Sequence, residues 1–347
     1  MRMMTNQLNV VPTATALEKL VDVESITESL DNSLTTLFGK RIFFRSDFSR
    51  ESIPLQMKEE SQKTIPYQIR TFATTSRDRQ IIGIDSSCAL IGETEDGPIF
   101  AGRVAVVGSF RANTRAHCRA GPFIFYMSHE TLEEELRRSL PAKVIKAILS
   151  DIGLAERFIR IRLERSAQLQ VARIHSDAII LVDGSLRSSV LEMPTLSLKE
   201  LERSAEENFN QLVGFSKTSS IRFVANLAGM LQSTGRCNCY CDITDPLRIF
   251  AQRLDGRVLL AKFAQNSRVF RVDMSRVNAE EDPQVLADLK ANDIFFRGYP
   301  ETLRLAHHLS VFDSFTVSST RSYISKKFGL IRVPSDDLRA TILGKLV

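Results

Sequence analysis

The stretch from Gln80 to Phe110 constrains this chain most. Two runs rich in Ile and Val, one holding Ile-Ile-Gly-Ile-Asp-Ser-Ser and the other Arg-Val-Ala-Val-Val-Gly, flank an acidic turn at Glu93 to Gly97 that contains Asp-Gly. β-Branched side chains fit a pleated surface, and Asp-Gly supplies the backbone that a tight turn needs. The stretch therefore reads as a β-hairpin in the middle of a sheet. One carboxylate, Asp85, stands inside the first strand. Burial of that charge is costly without a cation, a hydrogen bond or water, so Asp85 either bonds its own backbone or belongs to a site.

A second buried strand, Ala178 to Asp183, runs Ala-Ile-Ile-Leu-Val-Asp and ends in Asp-Gly-Ser-Leu. This puts Asp183 at the tip of a central strand, where α/β folds build chemistry because loops carry functional groups over a rigid base. Helical spacing marks Thr13 to Phe38, stopped by Gly39, and a helix capped by Ser128 that carries Glu130, Glu133, Glu134 and Glu135. Pro141 opens a long helical region to about Arg173, and Ser197 caps a helix to about Leu212. Further helices are expected at Ile221 to Gln232, Asp282 to Leu289, after Pro300, at Ser318 to Lys327 and from Ser335. Short strands are expected at Phe123 to Met127, Val213 to Ser216 and Ile294 to Arg297, and an antiparallel pair at Gly256 to Ala264 and Arg268 to Met274. Lys40 to Tyr67 reads as a surface excursion, and Ala112 to Pro122 as an arginine-rich loop. Strands alternating with helices make this an α/β chain.

With 347 residues the chain can bury a sizeable core, and its formal charge of +5 is modest. Its arginines cluster, however, at Arg103, Arg111, Arg115 and Arg119. Such clustering permits a polyanion site, although solvated surface charge explains it equally. No apolar run approaches the roughly 20 residues of a membrane span, and the start does not read as a secretory signal, so a cytoplasmic protein with no membrane partner is expected. Five cysteines, an odd number, do not read as a disulfide framework.

Asp85, Glu164 and Asp183 come from separate elements. If they converge, they form an oxygen-rich cage suited to magnesium or manganese, which can align water against a phosphodiester. The alternative is three capping or surface carboxylates. His307 follows Tyr299 by eight residues, about two helical turns, so the pair either packs locally or delivers an imidazole and a hydroxyl to one site. Lys217 is positioned to neutralise a phosphate, and Arg187, Arg297 and Arg304 to line a nucleic-acid groove; each is also an ordinary surface charge. Cys237, Cys239 and Cys241 alternate, which in a strand puts all three thiols on one face. Zinc sites show Cys-x-x-Cys pairs with a fourth ligand, so zinc is not expected. No Walker-type or Rossmann glycine run is present, which argues against an ATPase or dehydrogenase.

Taken in order, Ile-Ile-Gly-Ile-Asp-Ser-Ser, Arg-Leu-Glu-Arg-Ser-Ala, Ile-Leu-Val-Asp-Gly-Ser-Leu, Gly-Phe-Ser-Lys-Thr-Ser and Gly-Tyr-Pro-Glu-Thr-Leu-Arg-Leu-Ala-His resemble the motifs of the NurA nuclease family, from about Gln80 to Ser310. The resemblance implies an RNase H-like mixed central sheet flanked by helices, with helical additions at both ends. On that reading residues 1–79 form a helical region and arm, 80–310 the nuclease core with a helical insertion at 129–175, and 311–347 a C-terminal segment packed on the core. It also implies a manganese-dependent DNA nuclease, with magnesium as a substitute. Such enzymes act 5′ to 3′ as exonucleases with some single-strand endonuclease activity. They work as homodimers with HerA, a hexameric DNA-translocating ATPase, in resecting broken DNA ends. Carried over by motif, Asp85, Glu164 and Asp183 bind metal, and Tyr299 and His307 complete the site, with His307 also a candidate ligand. The sequence departs from the family in two places. Ser86 replaces the usual Gly after the first Asp, and His307 is doubled by His308. A catalytically silent DNA- or ATPase-binding adaptor is the competing expectation.

Overall fold

The structure, a computed structural model, describes residues 34–44, 67–128, 130, 136–137, 139–217, 222–250, 256–275 and 281–333. A 3-10 turn at Leu34–Leu37 leads to β1 (Arg41–Ile42) and β2 (Ile69–Thr71). Three long strands follow, β3 (Ile81–Thr94), β4 (Gly97–Phe110) and β5 (Asn113–Tyr126). Helices α1 (Ala142–Ser150) and α2 (Ile152–Ile174) precede β6 (Ile179–Asp183), α3 (Leu198–Glu207) and β7 (Gln211–Ser216). Then come α4 (Arg222–Ser233), β8 (Cys239–Asp242), α5 (Thr244–Phe250), β9 (Arg257–Lys262) and β10 (Phe270–Met274). The described chain finishes with α6 (Asp282–Asn292), β11 (Phe295–Phe296), β12 (Tyr299–Pro300), α7 (Glu301–Ser310), α8 (Ser314–Lys327) and β13 (Ile331–Arg332).

Among the described residues, nine strands form one mixed sheet in the order β2-β8-β9-β10-β7-β6-β3-β4-β5. The hairpin read from Gln80 to Phe110 is β3 and β4, antiparallel, with β5 antiparallel beyond it. On the other side β6 runs parallel to β3, and β7 parallel to β6. Alternation sorts the side chains into two cores. Ile82, Ile84, Ile180 and Val182 face Phe158 and Leu163 of α2 and Leu201 of α3. Ile81, Ile179 and Leu181 face Leu286 of α6 and Leu303 of α7. The sheet is thus covered by helices on both faces, as the α/β reading expects.

Two glycines let those helices approach. A Cβ on Gly83 would lie 2.7 Å from the Thr302 carbonyl carbon, so α7 crosses β3 at that residue. A Cβ on Gly102 would lie 2.3 Å from Leu163 Cδ1, where α2 crosses β4. At the far end α8 packs Ile324, with Phe328 just beyond it, against Ile91, Ile99 and Tyr126.

Several expected elements differ. The arginine-rich loop at Ala112 to Pro122 is part of β5, in which Ala116 and Cys118 pack toward the core while His117 and Arg119 are exposed. The period-two pattern was present but was hidden by the density of arginines. The region from Pro141 to Arg173 is two helices, broken at Asp151, whose backbone is extended and whose side chain caps α2, Oδ1 accepting from Leu154 N at 3.0 Å. Ser197 does cap its helix, but that helix ends at Glu207, and the strand expected at Val213 starts at Gln211. Phe209, at φ 58, reverses the chain between them. Helix α5 was not expected, and α8 starts earlier than expected because Asp313 caps it, accepting from Thr316 N at 2.7 Å. Cys237 precedes β8 and is exposed, so only Cys239 and Cys241 share the strand face, where both are buried. The segment from Ser335 and nearly all of Thr13 to Phe38, Lys40 to Tyr67 and the Ser128 helix lie outside the described residues.

Candidate active site

The register builds the site. Ile84 pairs with Val182 in parallel, so Asp85 and Asp183 are the next residues on adjacent strands. Both fall on the face covered by α7. Asp85 is only 1% exposed, and a buried, unpaired carboxylate would cost several kcal/mol. Two contacts offset this. Ser86 N donates to Asp85 Oδ1 at 2.8 Å, and His307 Nδ1 lies 2.7 Å from Oδ2. The helix starting behind Pro300 brings His307 over Asp85 two turns later. Ser87 Oγ bonds the Ser310 carbonyl and pins the end of the same helix to β3.

Asp183 ends β6, and Gly184, at φ +120, makes the turn that a side-chain-bearing residue would resist. Tyr299 Oη donates to Asp183 Oδ1 at 3.0 Å, and Lys217 Nζ donates to Oδ2 at 2.8 Å. Burial, then the negative charge of Asp183, pushes the Tyr299 hydroxyl far above its ordinary range, so it remains a donor. The Lys217 ammonium also stands 5.0 Å from the centre of the Tyr299 ring. Behind Asp183, the buried pair of Arg271 and Asp273 anchors the next loop, with Leu186 N donating to Asp273 Oδ2 at 3.2 Å.

Asp85, Asp183 and His307 each offer a ligand atom, and these atoms lie within 4.8 Å of one another. Two carboxylates and an imidazole make a donor set that fits a divalent cation such as manganese or magnesium. The hydrogen bond to Asp85 uses Nδ1, so Nε2 is the nitrogen His307 keeps for other chemistry.

Glu164 approaches from the opposite face. Because Ser86 follows Asp85, its side chain points toward α2, where Ser86 Oγ donates to Glu164 Oε2 at 3.2 Å. Gln168 Nε2 donates to the other oxygen at 2.9 Å. Arg165 bonds the Gln168 oxygen at 2.6 Å and pairs with Glu192 at 2.8 Å, which extends the support outward. Desolvation first, then repulsion from Asp85, pushes the Glu164 carboxyl up to about 7. Glu164 therefore stands behind the three-residue cluster, coupled to it by charge and by Ser86.

The remaining candidates separate. Arg187 is exposed on the loop after β6 and lines a cavity together with Glu164 and Asp183. Arg304 is held by Glu301, at 2.6 Å from Oε2, and its guanidinium lies 5.2 Å from the Phe296 ring centre. Arg297 lies 5.5 Å from the centre of that ring. Neither lines the cavity. His308 approaches Arg304 and is not in the cluster. Sequence reasoning missed Ser86 as a partner of Glu164, and it missed Gln168. The Gln168 signal was its place four residues after Glu164 on one helix face.

The sequence model of the NurA domain matches residues 79–312. The chain belongs to the NurA domain family. Among solved structures it is similar to the NurA nuclease from Sulfolobus solfataricus, at 14% identity, 76% coverage of this chain, 87% of that one and a TM-score of 0.48. Another structure, described as NurA, gives 10%, 73%, 90% and 0.40. An endonuclease V from Bacillus subtilis gives 12%, 74%, 88% and 0.34. No curated protein matches. No helix of the described residues in this NurA-family chain is long and apolar enough to cross a membrane.

Proposed function

We propose that this chain is a metal-dependent DNA nuclease that hydrolyses phosphodiester bonds at DNA ends. The observation that carries this is the convergence of Asp85, Asp183 and His307 within 4.8 Å in a NurA-family chain. The finer reading is a cytoplasmic 5′-to-3′ exonuclease with single-strand endonuclease activity, working as a homodimer with a HerA-type ATPase in end resection.

Asp85 and Asp183 would hold the cation, manganese or magnesium, with His307 Nε2 beside them and Glu164 completing the negative charge. When bound, such an ion lowers the pKa of water and offsets charge on the phosphoryl oxygens; a pair of ions about 4 Å apart would do both at once. Tyr299 orients Asp183 by donating to one oxygen, which leaves the other to Lys217 or to an ion. The Lys217 ammonium is half-exposed, so it can turn to a phosphate while Tyr299 keeps Asp183 in place. In the reaction, water oxygen bonds to phosphorus, the P–O bond to the leaving sugar breaks, and the departing alkoxide takes a proton. Ser86 keeps Glu164 next to this site, so the departure from the family's Gly supplies a support and does not favour the silent adaptor.

The test is digestion of a strand labelled at its 5′ or 3′ end, with manganese, magnesium or excess chelator. Release of 5′-terminal nucleotides in manganese, abolished by chelator, is expected. Absence of turnover with either ion would refute the enzyme and leave the adaptor.

A further inference from the structure

Beyond the metal cluster, Glu164 and Asp183 open into a cavity of about 960 Å³ between the outer face of α2 and the loop after β6. Of the five cations that line it, Lys143 from α1, Arg157 and Arg160 from α2, and Arg187 from the loop are exposed, whereas Arg165 is nearly buried against Glu192. We infer that this groove holds a single nucleic-acid strand by its phosphates, with Lys143, Arg157, Arg160 and Arg187 as the contacts, and feeds it to the carboxylates. Identifying the strand as DNA rests on the function proposed above.

Spacing supports this path. Arg157, Arg160 and Glu164 fall at i, i+3 and i+7 of one helix, so they share a face, and Arg157 stands about 10 Å along the axis from Glu164. Two arginines followed by a carboxylate on that face place positive charge where the strand arrives and negative charge where it is cut. Arg187 lies four residues past Asp183 on the opposite wall, so the cleft is basic on both sides.

The acids in the groove do not cancel this charge. Glu192 is paired with Arg165, and both are nearly buried. Glu164 and Asp183 belong to the reactive end, which leaves Glu156 against four cations. Among the described residues no aromatic ring lines the cavity, so these residues offer bases no stacking platform and their grip falls on the backbone, independent of sequence. A cleft of about 960 Å³ accommodates a few nucleotides of one strand.

The experiment is fluorescence anisotropy of a labelled oligothymidylate with the full chain in chelator, titrated with salt, for wild type, Arg157→Ala/Arg160→Ala and Arg157→Lys/Arg160→Lys. The logarithm of affinity falls with the logarithm of salt by about 0.7 per phosphate contact on a single strand. The alanine pair is expected to bind more weakly and to lower that slope by about 1.4, and the lysine pair to keep it. Arg297→Ala/Arg304→Ala, outside the groove, is expected to change neither. Unchanged affinity and slope in the alanine pair, an equal loss in Arg297→Ala/Arg304→Ala, or binding of duplex in preference to single strand would each overturn the inference. Because binding is read without turnover, a groove that binds in a protein that never cleaves refutes the nuclease and not the groove. Cleavage by a protein whose binding ignores Arg157 and Arg160 does the reverse.

Discussion

At the scale of single residues, Ser86 and Glu164 carry the sharpest expectations. Ser86→Ala removes one hydrogen bond from Glu164, worth about 1 kcal/mol, and so is expected to slow metal-dependent cleavage by about fivefold without abolishing it. Steady-state kinetics on an oligonucleotide would show this in kcat. Glu164, pushed up to about 7, is neutral below that pH and a carboxylate above it. A proton and a cation compete for it, so manganese affinity by titration calorimetry is expected to rise as pH increases from about 6 to about 8. Glu164→Gln is expected to flatten that rise, and an equal rise in the variant would separate Glu164 from metal binding. Ordered motifs in the sequence singled out Asp85, Asp183, Tyr299 and His307, which the fold brings together. The motifs did not make Ser86 legible, because a hydroxyl next to a carboxylate acquires its role only when strand alternation aims it at α2.

At the scale of elements, two glycine contacts set the positions of α2 and α7, and with them Glu164 and His307. Gly83→Ala would meet backbone atoms of Thr302 and Leu303, which have little freedom to yield, whereas Gly102→Ala would meet side-chain atoms, a Leu163 methyl and the edge of the Phe125 ring, which have more. Gly83→Ala is therefore expected to cost about 1–3 kcal/mol, more than Gly102→Ala, and to reduce cleavage by displacing His307. Urea unfolding midpoints and kcat measured on both variants check the order; a smaller loss for Gly83→Ala would contradict it. The hairpin and the β6 tip were readable from sequence because apolar runs and Asp-Gly turns are local signals. The long β5 was not, since its pairing with β4 compensates backbone that its arginines had disguised as loop. The break at Asp151 was missed for a related reason: the capping oxygen is local, but the apolar face continues through it from α1 to α2.

At the scale of the whole molecule, the parallel junction of β3 and β6 is what makes the site. It sets Asp85 beside Asp183 on the face of α7, while Glu164 stands behind them on the α2 face, linked through Ser86. The most direct measurement is manganese-dependent digestion of an end-labelled DNA strand by wild type, Asp85→Asn and Asp183→Asn, each shown to fold by its melting transition. Loss of turnover by at least about a hundredfold in both variants, with folding retained, is the expected result. Undiminished digestion by two folded variants would contradict the account.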